Sequence, residues 1–115
     1  MSDDQRDPAL PRSEVGIVNN VEANQFEWRT GTERAILTYR VQGNVIAYRH
    51  TVVPPALRNR GIAAALAAHA VAHARENGLM VVPLCPYVLA YLAKHPEYGD
   101  LVVPRSRWTE VLDGN

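Results

Sequence analysis

HTVVPPALRNRGIAAAL, from His50 to Leu66, runs from a strand into a double proline, then through a basic turn into an alanine-rich helix. Neither Pro54 nor Pro55 can donate to a β-ladder, so the strand has to stop at them. Alanine is the best helix former, and Ala63 to Ala65 open the segment that follows. A helix start presents N–H groups with no partner inside the helix, together with the positive end of the peptide dipole. Arg58 and Arg60 lie at that end, where cations are ordinarily disfavoured. A bound anion resolves the conflict, so the turn suits a phosphorylated ligand. A plain strand-to-helix loop with solvated arginines is the alternative.

Upstream of this stretch the period is two. Phe26 and Trp28 alternate with polar neighbours, and Thr30 to Glu33 can turn the chain. Ala35, Leu37, Tyr39 and Val41 then share one face, and Gln42-Gly43-Asn44 forms a hairpin turn into Val45 to Val53. These segments predict an antiparallel meander.

Downstream the period changes. A helix is predicted from about Leu57 to Asn77, with Ile62, Leu66, Ala70 and Ala74 as its apolar stripe. His73 and Arg75 lie in its last turn and Gly78 is its left-handed cap. Leu79 to Leu84 is a short apolar run, as expected of a strand buried on both faces. A second helix opens with Pro86 at its first position, continues through about Lys94 and ends before Pro96. Leu101 to Val103 reads as another short strand. Strand, helix and buried strand make a βαβ unit, for which a right-handed crossover is the rule. The predicted class is α/β, an α+β mixed sheet in which an antiparallel meander precedes a βαβ unit and a C-terminal helix.

A chain of 115 residues is long enough for one core and too short for two. Residues 1–14 are polar and proline-punctuated and are expected to form a flexible tail; 15–103 form the domain and 104–115 a C-terminal tail. A formal net charge of zero gives no broad electrostatic footprint for nucleic acid. No apolar run is long enough to span a bilayer, and MSDDQRDP is no signal peptide, so neither membrane nor export is expected. With a single cysteine there is no internal disulfide, and a cytoplasmic location follows as the expectation.

Ligands of a βαβ unit gather beyond the carboxyl ends of its parallel strands. The Arg58–Ala64 turn, His50 near one strand end and Cys85 just past the other all fall there. Histidine titrates closest to neutral pH, so His50 is a natural general base, or else a strand histidine satisfied by backbone. Cys85 sits at a helix start, which favours thiolate, and it is either a reactive thiol or a small buried hydrophobe. His69 and His73 have the i, i+4 spacing of a zinc pair but no convincing third ligand in sequence, so no metal is expected. Trp108 beside Arg105 and Arg107 reads as a tail aromatic that docks on the domain, with a cation–π or nucleic-acid contact as the alternative.

Arg58-Asn59-Arg60-Gly61-Ile62-Ala63 matches the arginine/glutamine-x-x-glycine-x-glycine/alanine signature of the GNAT N-acetyltransferase superfamily. Together with GLMVVPLCPYVLAYLAKHPEYGDLV, Gly78 to Val102, it makes the chain resemble a minimal, single-domain GNAT subfamily over roughly Gly16 to Val102. The resemblance implies acetyl-CoA as co-substrate, its pyrophosphate held by the backbone of Arg58, Asn59, Arg60, Gly61, Ile62 and Ala63. Val52 and Val53 would pair with the pantetheine arm. It implies His50 and Cys85 as the reactive pair, and Tyr91 as the group that protonates the CoA sulfur, or alternatively an aromatic that packs on the sheet.

The chain departs from the broad superfamily pattern in two places. Leu84-Cys85-Pro86 replaces the usual asparagine near the last helix, and HPEY (His95 to Tyr98) replaces the common glycine-phenylalanine ending. No counterpart of the N-terminal helices that shape acceptor pockets in larger members is apparent, which implies an open acceptor site. The function implied is acetyl transfer from acetyl-CoA to an amine of a small molecule or protein. The alternatives are a non-enzymatic acyl-CoA-binding or sensing module and an interaction domain without CoA.

Overall fold

The computed structural model describes residues 16–113. Four antiparallel strands come first: β1 (Ile17–Asn20), β2 (Gln25–Arg29), β3 (Arg34–Gln42) and β4 (Val45–Val52). Helix α1 (Ile62–Glu76) then carries the chain to β5 (Met80–Pro83), which pairs parallel with β4 and completes a sheet ordered β1-β2-β3-β4-β5. The meander and the βαβ unit are as predicted. Helices α2 (Pro86–Lys94) and α3 (Trp108–Asp113) follow. No described helix is long and apolar enough to cross a membrane.

The sheet buries both faces unequally. On one face Phe26, Ala35, Leu37, Tyr39, Ile46 and Tyr48 form the main core with α1 and α2. The predicted stripe of α1 is buried throughout, joined by Ala65, Ala67 and Val71. So many alanines let the helix backbone approach the sheet closely, near enough for the fully buried Tyr48 hydroxyl to donate to Ala70 O at 2.6 Å. Phe26 is the hub of the aromatic layer, with the rings of Tyr39, His69 and His73 centred 5.2, 5.3 and 5.2 Å away. His69 and His73 therefore pack edge-on against a phenyl ring. Among the described residues no group of three His, Cys, Asp or Glu stands together as a metal site.

On the second face α3 covers a smaller cluster of Val45, Ala47, Val82 and Val103. Trp108 anchors it, donating Nε1–H to Val103 O at 2.8 Å beneath the Arg105 guanidinium. The tryptophan docks on the domain, as expected.

Several element ends differ from the sequence reading. Helix α1 starts at Ile62 and not near Leu57, because Pro55–Leu57 form a single 3-10 turn and Asn59 and Gly61 adopt left-handed conformations. Leu101 to Val103 makes a lone parallel bridge from Val102 to Val81, with Leu101 taken up by the preceding 3-10 turn (Pro96–Leu101). Val41 is exposed at the hairpin end of β3, although its partner Ile46 is buried in the main core. The expected N-terminal tail, 1–14, lies outside the described residues.

Candidate active site

Strands β4 and β5 run side by side only as far as the Tyr48–Pro83 pair. There the Tyr48 carbonyl accepts from both Leu84 N and Cys85 N, each at 3.0 Å, and the chain turns away into α2. Strand β4 continues to Val52 with β3 as its partner on one edge, and its other edge faces a widening gap. Pro83 and Pro86 explain the divergence: neither can donate to a ladder, and Pro86 suits the first position of α2.

The gap opens into a cavity of about 640 Å³. Thr51, Val52 and Val53 line it from the strand, Leu57 to Asn59 and Gly61 to Ala64 from the turn and the first turn of α1, and Tyr87 from α2. The α1 N-terminus carries no side-chain cap and no acidic residue, so its leading N–H groups stand ready for an anion. Gly61 has φ +75°, and a Cβ there would project into open space, so glycine is needed for its backbone conformation. Arg58 lines the cavity while its Nε donates to Val53 O at 3.1 Å. Of the six signature residues, Arg60 alone is not in the cavity wall.

None of the three predicted catalytic residues, His50, Cys85 and Tyr91, lies in the cavity wall. Cys85 is fully buried as the N-cap of α2, and its Sγ lies 2.8 Å from Thr51 Oγ1. His50 is exposed and pairs with Thr38, on the face opposite the main core. A β-bulge causes this: Tyr39 pairs with Tyr48 while Thr38 pairs with His50, leaving Arg49 as an extra residue. Alternation from Ile46 and Tyr48 would otherwise put His50 on the cavity side; the bulge puts Thr51 there instead.

Tyr91 stands away from the cavity, with its ring stacked on His95 at 4.1 Å and near Tyr98. Tyr87, one helical turn earlier, occupies the cavity wall. Thr51, Leu57, Ala64 and Tyr87 are thus the cavity-wall residues to which the sequence reading gave no role in binding or catalysis, and of these Thr51 and Tyr87 carry hydroxyls. Tyr87 had a legible signal, since it lies in the first turn of a helix whose start points at the gap. Thr51 had none, because a bulge leaves no mark in hydrophobic period.

A mixed sheet that parts beside an uncapped helix start, above a cavity of this shape, defines a GNAT-type acyltransferase fold. Residues 25–101 match the profile of the GCN5-related N-acetyl-transferase family, and this chain belongs to it. It is 33% identical over 89 residues to Protein NATD1 of Xenopus tropicalis, spanning 75% of this chain and 82% of the relative. Against Protein NATD1 of Mus musculus it is 37% identical over 85 residues, spanning 71% and 77%. The NMR solution structure of a GCN5-like protein from Staphylococcus aureus superposes with a TM-score of 0.59 at 31% identity, covering 79% of this chain and 90% of the other.

Proposed function

We propose that this protein binds acetyl-CoA and transfers its acetyl group directly to an amine acceptor. The observation that carries the reading is the parting of β4 and β5 at Tyr48–Pro83 into a cavity that ends on the free N-terminus of α1. The residues present fit the co-substrate. Gly61, Ile62, Ala63 and Ala64 would hold the pyrophosphate through their N–H groups, with Arg58 and Asn59 beside them and Arg60 adding charge from outside the wall. The edge of β4 beyond its pairing with β5, at Val52 and the adjoining Val53, whose carbonyl accepts from Arg58 Nε, would receive the pantetheine arm as a surrogate strand.

Acetyl-CoA supplies an activated thioester. The acceptor nitrogen forms the new C–N bond as the C–S bond breaks, its surplus proton passes to a base, and the departing thiolate takes up a proton. The thioester would lie along the edge of β4, the strand that also carries His50. His50, exposed on the far face, is the candidate base, and Tyr87 in the cavity wall is the candidate proton donor. Tyr91 then supports the end of α2 through its stacking with His95. Cys85, fully buried and absent from the cavity wall, fits no acyl-carrier role.

A second reading, acyl-CoA binding without turnover, is favoured by one fact: His50, Cys85 and Tyr91 all lie outside the cavity wall. Calorimetric titration with acetyl-CoA, using dephospho-CoA and ATP as controls, tests the shared premise. We expect saturable binding that Arg58→Glu with Arg60→Glu weakens at least tenfold; no binding up to millimolar concentration would remove both readings. Release of free CoA thiol in the presence of amines then separates the enzyme from the binding module.

A further inference from the structure

We infer that Thr51 presents its hydroxyl to the acetyl thioester and that Cys85 acts only through Thr51, as a positioning residue and never as an acyl carrier. The inference rests on the acetyl-CoA reading above and goes beyond it by naming the group that meets the reacting carbonyl.

Three observations converge on Thr51. The bulge at Arg49 turns it, and not His50, toward the cavity. It lines that cavity beside the place where β4 and β5 part. Its Oγ1 lies 2.8 Å from the sulfur of Cys85. Thr51 and Tyr87 are the two hydroxyl-bearing side chains in the cavity wall, one on the strand and one on the helix that diverge there.

Cys85 is arranged to serve that hydroxyl. Its backbone N–H is committed to Tyr48 O, its position as N-cap fixes its backbone, and its side chain is fully buried. A thiol has one weak donor hydrogen, whereas a hydroxyl has one donor and two acceptor lone pairs. When Cys85 S–H donates to Thr51 Oγ1, the threonine's own O–H remains free for the cavity. Threonine is also stiff at χ1, so the hydroxyl is held in place before the substrate arrives. A preorganised donor of this kind costs little to use as charge develops on the thioester oxygen.

No proton moves through Thr51 in this step. The acceptor nitrogen attacks the carbonyl carbon, negative charge grows on the carbonyl oxygen and Thr51 O–H donates a hydrogen bond to it. The oxygen returns to a carbonyl as the C–S bond breaks. The sulfur leaves with the bonding pair and is protonated, while the nitrogen's proton goes to the base. Cys85 keeps its proton throughout.

The experiment uses the full chain, acetyl-CoA and hydroxylamine as a small nucleophile, with thiol release read after subtraction of the uncatalysed rate. Thr51→Val preserves shape and removes the hydroxyl. We expect kcat to fall about 10²-fold with acetyl-CoA affinity within about twofold of wild type, and Thr51→Ser to recover most of the rate. Cys85→Ser should keep near-wild-type kcat, and Cys85→Ala should lose severalfold without a change in affinity. Because the chain has a single cysteine, its S–H infrared stretch reads the contact directly. That stretch should move to higher wavenumber in Thr51→Val and return in Thr51→Ser.

An acetyl adduct on Cys85 by intact mass after acetyl-CoA alone would overturn the inference. So would full activity in Thr51→Val, or an S–H stretch indifferent to it. Wild type that binds acetyl-CoA without turnover removes this inference and leaves the binding reading standing. Absence of binding removes both.

Discussion

Glu27 illustrates how a single residue can be misread from its neighbours. In QFEWR it looks like the outward, solvated member of an alternating strand, yet it is fully buried. What covers it is polar: Asn20 Nδ2 and Gln25 Nε2 donate to Oε2 at 3.0 and 2.6 Å, and Arg29 Nε donates to Oε1 at 2.8 Å. Arg34 completes the ring at 3.5 Å. The Gln25 hydrogen bond, joined by those from Asn20 and Arg29 and opposed by burial, lowers its pKa from 4.5 to about 2. Because the folded value lies below the ordinary one, ionised Glu27 stabilises the fold fully above pH 4.5 and loses that effect as pH falls toward 2. Glu27→Gln should therefore cost about 1–2 kcal/mol at neutral pH, and less in acid. Urea unfolding of both proteins at pH 7 and pH 3 checks this, and a gap that widened in acid would refute it. The signal was present in sequence, since Gln25 and Arg29 stand two residues away on the same face.

Helix α1 was the most legible element, and its two glycines show why. Both have positive φ, +75° at Gly61 and +66° at Gly78, and at neither would a Cβ meet another atom. Gly78 closes a Schellman motif, with Leu79 N bonded to Ala74 O at 2.9 Å and Gly78 N to Arg75 O at 3.4 Å. Gly61 opens the helix and shapes the proposed phosphate cradle. Each Gly→Ala change should cost about 1 kcal/mol through the left-handed backbone alone. Thermal melts should show similar losses for the two variants, whereas titration should show weakened acetyl-CoA binding only for Gly61→Ala. Equal affinity in both would mean that the cradle does not depend on that turn. The stripe, the caps and the prolines are local features, which is why α1 from Ile62 onward and α2 could be read directly. The start of α1 was misplaced because Asn59 at φ +65° and the Pro55–Leu57 turn interrupt what the propensities allow.

At the scale of the whole molecule the sheet has a heavily covered face and a lightly covered one. The second depends on α3, whose Trp108 packs with Val111 and Leu112 against Val45, Ala47, Val82 and Val103. Trp108→Ala should remove about 2 kcal/mol of stability and increase binding of a hydrophobic dye, without altering acetyl-CoA affinity, because the cavity opens on the other face. Denaturant melts with dye fluorescence measure both effects. Unchanged stability would mean that α3 covers the sheet without holding it.

Much of the architecture follows from local chemistry alone. Period-two strands, a double proline, an alanine stripe and a glycine cap are short-range signals, and they led to the meander, the βαβ unit, the two main helices and the turn proposed to hold phosphate. Which side chains reach the cavity wall does not follow from local chemistry. An extra residue at Arg49 reverses which face of β4 each later side chain takes, and with it exchanges His50 for Thr51 beside Cys85. The divergence of α2 from β4 likewise selects Tyr87 over Tyr91 for the cavity wall. Hydrophobic period is blind to such a bulge, because register is fixed by pairing with a neighbouring strand and not by the strand's own sequence.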